Sequence, residues 1–237
     1  SGTITMTGAS PQIFSGSSAT TCYNLTIDNA SGVTLNSSGL TTVTGTIRIN
    51  SGKKLDLAAG KHLTVSGSFI NSEGPVGFTI RSSETGTGSL PYDGAVDGTM
   101  ERYIPNDFKW HFLSSPVTSQ NIWPAFAPEP EELSGLYYFT QTPYNWDFYY
   151  WNPNASTTNQ LYWVNLRKNE EGEYNERDVE ATGSEAGFGA SIPPTFIPGR
   201  GYLVAYSDDW NPVTGSPTVR SFSGTINGGS EIGRAHV

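Results

Sequence analysis

Residues 24 to 67 read NLTIDNASGVTLNSSGLTTVTGTIRINSGKKLDLAAGKHLTVSG, and this stretch repeats itself at a fixed distance. Leu25-Thr26-Ile27 recurs 22 residues later as Ile47-Arg48-Ile49, Val33-Thr34-Leu35 as Leu55-Asp56-Leu57, and Val43-Thr44-Gly45 as Val65-Ser66-Gly67. In the first two pairs of triplets, two apolar residues flank a polar or charged one. This is the period of two that a strand with one buried face requires. Three such strands per repeat predict a three-sided coil. Asn29-Ala30-Ser31-Gly32, Asn36-Ser37-Ser38-Gly39, Asn50-Ser51-Gly52 and Ala58-Ala59-Gly60 mark its corners, because Gly and Asn tolerate the left-handed conformations of tight bends.

One such rung cannot bury its own apolar side, so stacked rungs share a continuous interior. The expected fold of residues 1–98 is therefore a short right-handed parallel β-solenoid with rungs of about 22 residues. Upstream, Ile4 and Met6 fall near the Leu25 and Ile27 positions with a slip of one residue, and Ile13 is placed where Leu35 is expected. Downstream, Phe69, Phe78 and Ile80 suggest a fourth, irregular turn. Ordinary antiparallel hairpins are the competing arrangement, and the fixed spacing disfavours them.

Composition changes near Gly98. Residues 1 to 99 carry five aromatics and a formal charge of −1, whereas residues 100 to 230 hold all six Trp and a charge of −8, with seven basic residues against fifteen acidic ones. Residues 99–230 are expected to form an aromatic-rich β-sandwich or jelly-roll-like module, since strands there are separated by Pro, Gly and Asn turns. Its candidate strands are Met100 to Ile104, Trp110 to Ser114, Leu136 to Thr140, Phe148 to Asn152, Tyr162 to Leu166, Gly201 to Tyr206 and Thr218 to Phe222. The acidic stretch Lys168 to Glu180 reads as a solvated loop.

A net charge of −9 without a basic stripe argues against nucleic acid, which is bound by clustered Lys and Arg. No run of eighteen apolar residues is present, so no helical membrane span is expected. Cys22 is the single cysteine, which rules out an internal disulfide and suggests a buried, inert thiol on a strand.

Catalytic constellations are sparse. On the rungs, Asp28, Arg48, Asp56, Lys53, Lys54 and Lys61 are scattered, and solvated positions explain them better than paired acid and base chemistry. His62 is expected to point outward, and His111 alternates with Trp110 and Phe112 in a strand; neither has a metal-type partner at ligand spacing. Ser114-Ser115 lacks the strand-turn-helix elbow that exposes a nucleophile. No cofactor is expected. Glu129-Pro130-Glu131-Glu132 and Ser207-Asp208-Asp209 offer oxygens for calcium without matching a known loop, and solvated turns are the default reading. Asn24, Asn29, Asn36 and Asn154 begin Asn-x-Ser/Thr triplets that reflect composition better than glycan attachment.

The strongest hint of binding is the aromatic density between Trp146 and Trp163. Alternation puts Phe148 and Tyr150 on one side of a strand and Tyr149 and Trp151 on the other. Large aromatics are mostly buried on average, which favours a core. If one face stays wet, Trp146, Tyr149, Trp151 and Trp163 become candidates for stacking on sugar rings.

Two groups of motifs carry a family resemblance. Asn24-Leu25-Thr26-Ile27 and Gly32-Val33-Thr34-Leu35-Asn36 are similar to repeated rungs of surface proteins from bacteria with type IX secretion. Glu101-Arg102-Tyr103-Ile104-Pro105, Lys109-Trp110-His111-Phe112-Leu113-Ser114-Ser115-Pro116 and Gly199-Arg200-Gly201-Tyr202-Leu203-Val204 resemble the module that commonly follows those rungs. The resemblance covers most of residues 20 to 225. It implies an exported, cell-surface or extracellular adhesin-like segment upstream of a C-terminal sorting domain, and it implies no catalytic residues. The expected function is structural or adhesive without catalysis, with a glycan or host-surface component as the partner. A carbohydrate-binding module is the alternative, and a polysaccharide-active β-helix enzyme ranks last.

Residues 231–237, EIGRAHV, sit oddly after the turn-rich Thr225-Ile226-Asn227-Gly228-Gly229-Ser230. One reverse translation contains AGATCGGAAGAGCACACGTC, which resembles the start of a common sequencing-library adapter. The chain is thus read as the interior of a longer protein from a short DNA insert, and the tail is set aside from fold reasoning. A longer genomic sequence is expected to continue differently after Ser230. One that encodes EIGRAHV followed by a stop codon contradicts this reading.

Overall fold

The structure, a computed structural model, describes residues 2–122, 125–126, 146–151, 163–165, 195–197, 199–207, 218–226 and 228. Their regular secondary structure is strand, apart from one short 3-10 turn at Gly74–Gly77, with no α-helix among the described residues. Two compact units divide them. The first contains residues up to Tyr103, Pro116–Thr118 and the returning strand from Val219; the second contains Ile104–Ser115 and the described residues between Ser119 and Thr218.

The first unit is the β-solenoid. One wall is formed by β1 (Thr3–Gly8), β4 (Asn24–Asn29), β7 (Thr46–Ile49) and β10 (Ser68–Asn71), all parallel. A second wall contains β2 (Gln12–Phe14), β5 (Val33–Leu35), β8 (Leu55–Leu57), β11 (Phe78–Ile80) and β14 (Val96–Tyr103). The third wall is β3 (Thr20–Cys22), β6 (Thr41–Val43) and β9 (Leu63–Val65). Stacked parallel coils of about 22 residues are therefore the arrangement the repeat predicts.

Register stacks like on like. Leu25 lies beside Ile47 and Ile47 beside Phe69; Leu35 lies beside Leu57 and Leu57 beside Ile80. All six are buried. The outward residues between them, Thr26, Arg48, Thr34 and Asp56, remain wetter. Polar corners are closed by side chains. Fully buried Asn29 donates from Nδ2 to the Ser10 carbonyl and Gln12 Oε1, both at 2.8 Å, and its Oδ1 accepts from Ser31 N–H at 2.8 Å. Its Asn-x-Ser triplet is thus a corner brace, since a fully enclosed amide is not open to glycan attachment.

The first rung is one residue short. Ile4 pairs with Leu25 and Met6 with Ile27, the slip read from sequence. The same 21-residue offset continues through the second wall, so Phe14 takes the place beside Leu35 and Ile13 stands beside Thr34. Ile13 therefore faces outward, 64% exposed, instead of occupying the Leu35 column. Cys22 is likewise not the buried thiol expected. It occupies the column above Val43 but is only half-buried, because β3 is an edge strand; that partial burial still raises its thiol pKa.

Phe69, Phe78 and Ile80 do form the fourth turn. Its third side is Ser89–Pro91, whose carbonyls accept from Leu63 N–H at 3.0 Å and Val65 N–H at 3.1 Å. The irregularity is an inserted hairpin, β12 (Ser82–Ser83) with β13 (Gly86–Thr87). β14 then adds a fifth strand to the second wall, running through Gly98, where the composition changes. The stretch Thr218 to Phe222, read from sequence as part of the second module, lies mostly in β19 (Val219–Ile226). β19 pairs antiparallel with β14 over eight residues and belongs to the first unit.

In the second unit, β15 (His111–Leu113), β18 (Tyr202–Tyr206), β16 (Trp146–Trp151) and β17 (Trp163–Asn165) make an antiparallel sheet in that order. Of the sandwich expected there, the described residues contain this sheet. Leu136 to Thr140 and the Lys168 to Glu180 loop lie outside the described residues, as does the 231–237 tail.

Close stacking fixes the predicted response to mutation. A Cβ on Gly67 would sit 1.9 Å from the Gly45 carbonyl oxygen of the rung above, so Gly67→Ala is expected to destabilise by on the order of 1–3 kcal/mol. Leu57→Ala is expected to cost about 2–5 kcal/mol, and Thr34→Ala no more than about 0.5 kcal/mol. Chemical denaturation checks the order. Equal effects at Leu57 and Thr34 would contradict a shared interior.

Candidate functional site

The second unit's sheet separates its aromatics by strand parity. On the inner side, Phe148 and Tyr150 of β16, Tyr202, Val204 and Tyr206 of β18, and Leu113 of β15 are buried. Phe126 and Phe196 cover them, with Phe196 4.8 Å from Tyr202, 5.9 Å from Phe148 and 5.0 Å from Phe126 between ring centres. Two of the hydroxyls inside this core have hydrogen-bond partners. Tyr202 Oη accepts from Ile197 N–H at 2.9 Å, and Tyr206 Oη donates to the Phe126 carbonyl at 2.6 Å.

The outer side carries a second set of rings. Phe112 and Tyr149 both pair with Leu203 from opposite sides, and Trp151 pairs with Trp163. Trp110, just before β15, reaches Tyr149 with ring centres 5.5 Å apart. Trp151 meets Trp163 at 5.2 Å, and Trp163 meets Phe112 at 6.2 Å. β15 and β17 are the sheet's outer strands, about 14 Å apart at ordinary strand spacing, so Phe112 and Trp163 reach toward each other over the middle strands. Trp110 is 52% exposed, Phe112 65% and Trp151 37%, with Tyr149 and Trp163 half-buried. Five rings on one sheet face, drawn from three strands and the lead-in to one, form the candidate site.

The turn before β15 aims Trp110. Phe108 has a left-handed backbone, φ +53, which costs a bulky residue on the order of 1–2 kcal/mol. Its N–H is held by the Tyr206 carbonyl at 2.8 Å. Asp107 caps the same turn. One carboxylate oxygen accepts from Lys109 N–H at 3.1 Å and lies 3.4 Å from His111 Nε2; the other lies 3.2 Å from Lys109 Nζ. Desolvation works against the charged carboxylate, but the Lys109 and His111 contacts outweigh it and hold its pKa below the usual aspartate range.

Of the four residues expected to stack on sugar, Tyr149, Trp151 and Trp163 are brought together. Trp146 belongs to β16 by its backbone, opposite Tyr206, and its side chain lies outside the described residues. Trp110 and Phe112 were not among the candidates. Their signal was the two-residue spacing around His111, which puts both rings on one face of β15.

In the solenoid, Arg81 bridges Asp56 at 2.9 Å and Glu101 at 2.6 Å on the outside of the second wall. Desolvation opposes its charge, yet hydrogen bonds and attraction from both carboxylates raise its pKa further. Partly exposed and fully paired, this triad ties three rungs together. His62 is exposed on a rung, as expected. Among the described residues, no three His, Cys, Asp or Glu side chains gather as metal ligands. Of the calcium candidates, Glu129 to Glu132, Asp208 and Asp209 lie outside the described residues, as does Asn154. No helix among the described residues is long and apolar enough to cross a membrane.

Comparison with protein-family models, with curated proteins and with solved structures returned no match.

The Asp107 contacts predict a titration. A carboxyl whose folded pKa is depressed adds stability above its unfolded value of about 3.9, and that stability is lost as pH falls through the folded value. Carboxyl carbon NMR is expected to place the Asp107 midpoint below about 3.9 and to move it part of the way up in Lys109→Ala combined with His111→Ala, because the Lys109 backbone N–H still donates to the carboxylate. A wild-type midpoint at or above the reference contradicts the assignment.

Proposed function

We propose that this chain is a non-catalytic, extracellular adhesive segment that holds carbohydrate on the aromatic face of its second unit, with the solenoid as the structural part. The observation that carries this reading is the outward set of Trp110, Phe112, Tyr149, Trp151 and Trp163. On its other side the same sheet buries a separate set of rings, with Phe196 packed on Phe148 and Tyr202.

Flat exposed rings stack either on nucleic-acid bases or on the apolar faces of sugars. Base-stacking grooves are lined with Lys and Arg to follow the phosphates. Residues 100 to 230 hold seven basic residues against fifteen acidic ones, which favours an uncharged partner. Sugars fit that requirement. The resemblance of the rungs to type IX-secreted surface proteins supports an extracellular setting, and Asp56 and Glu101, the two carboxylates gathered on the second wall, are both engaged by Arg81.

A glycan array probed with the full chain is expected to show binding that Trp151→Ala and Trp163→Ala each weaken about tenfold or more, a loss of about 1.4 kcal/mol. Melting curves of the variants should match wild type. Unchanged binding in both variants rejects the site, and release of reducing ends from any bound polysaccharide rejects the non-catalytic assignment. A concentration-dependent dimer abolished by Trp151→Ala would assign the face to a second copy of the chain.

A further inference from the structure

The rings of the outer face do not share a plane. Trp110 and Tyr149 meet at 74°, Trp151 and Trp163 at 69°, and Phe112 and Trp163 at 52°. A sugar ring stacks when its apolar face lies against the face of an aromatic ring. In a crystalline polysaccharide the sugar rings of the exposed surface lie in one rigid plane, so such a surface can lie flat on no more than one member of each contacting pair. A single glycan chain turns about its glycosidic bonds and can present successive sugars at different angles.

Charge narrows the class further. The excess of eight acidic residues between residues 100 and 230 repels a polyanion, and no run of more than two adjacent Lys or Arg occurs in that stretch to offset the repulsion. The arrangement of the rings, twisted between strands and spread over a sheet face some three strand spacings wide, also favours several consecutive sugars over a single monosaccharide. Resting on the carbohydrate-binding reading above, we infer that this face selects a single, flexible, uncharged glycan chain and discriminates against both crystalline polysaccharide surfaces and acidic polysaccharides.

Three ligand classes test this with the full chain. Soluble neutral polymers (mixed-linkage glucan, galactomannan and xyloglucan) are used in affinity electrophoresis. Polygalacturonate is used in the same format at low and high salt, and microcrystalline cellulose and crystalline chitin are used in sedimentation assays. At least one soluble neutral polymer is expected to retard the chain. Trp151→Ala or Phe112→Ala should weaken that retardation at least tenfold, and Trp151→Phe should restore part of it. The fraction sedimenting with crystalline polymers and the retardation by polygalacturonate should not exceed those of an albumin control.

Sedimentation with crystalline polymer that Trp151→Ala abolishes overturns the selectivity and leaves carbohydrate binding standing, as does retardation by polygalacturonate at low salt. Absence of binding to every class overturns both. Soluble binding that neither Trp151→Ala nor Phe112→Ala alters, in variants that melt like wild type, removes this face from the account.

Discussion

Every feature of the first unit depends on one constraint: a rung of about 22 residues has an apolar interior that only its neighbours can cover. Leu25, Ile47 and Phe69 stack along one wall because each shields the next from water, and Leu35, Leu57, Ile80 and Met100 do the same along another. Fully burying one such side chain stabilises by about 1.5–3 kcal/mol, so the columns dominate the energetics of the unit. A parallel stack also requires successive backbones to stay in register, and the corner asparagines and glycines serve that register.

Irregularities in the stack are absorbed at corners and not in the walls. The first rung drops a residue and keeps Ile4 and Met6 in their columns at the cost of turning Ile13 to solvent. The fourth adds a hairpin and still returns Ser89–Pro91 under β9. β19 then closes one wall in the opposite direction, its eight-residue ladder meeting β14. An antiparallel strand ends a parallel repeat, because the next rung would need a parallel partner at that edge.

What could be read from the sequence follows from which interactions are local. The 22-residue spacing is written twice over in the triplets, so the solenoid and its inward columns were legible without coordinates. The position of Ile13 was not, because a one-residue slip reverses every side chain after it. β19 lies more than a hundred residues from β14 in the chain, and composition near Gly98 reports exposure, not hydrogen-bond partners. In the second unit, alternation correctly separated Phe148 and Tyr150 from Tyr149 and Trp151. Trp110 and Phe112 join the outer rings only because β18 stands between β15 and β16, a juxtaposition no local pattern carries.

In the proposed function, one sheet face of the second unit, and no wall of the solenoid, meets the glycan. Indole and backbone amide NMR of the full chain during titration with a soluble neutral oligosaccharide tests it most directly. Shifts are expected for the Trp110, Trp151 and Trp163 indole N–H signals, together with amides of β15 to β18, while amides of β4 to β9 stay in place. Shifts confined to the outward threonine rows of the solenoid, with the three indoles unmoved, would contradict it.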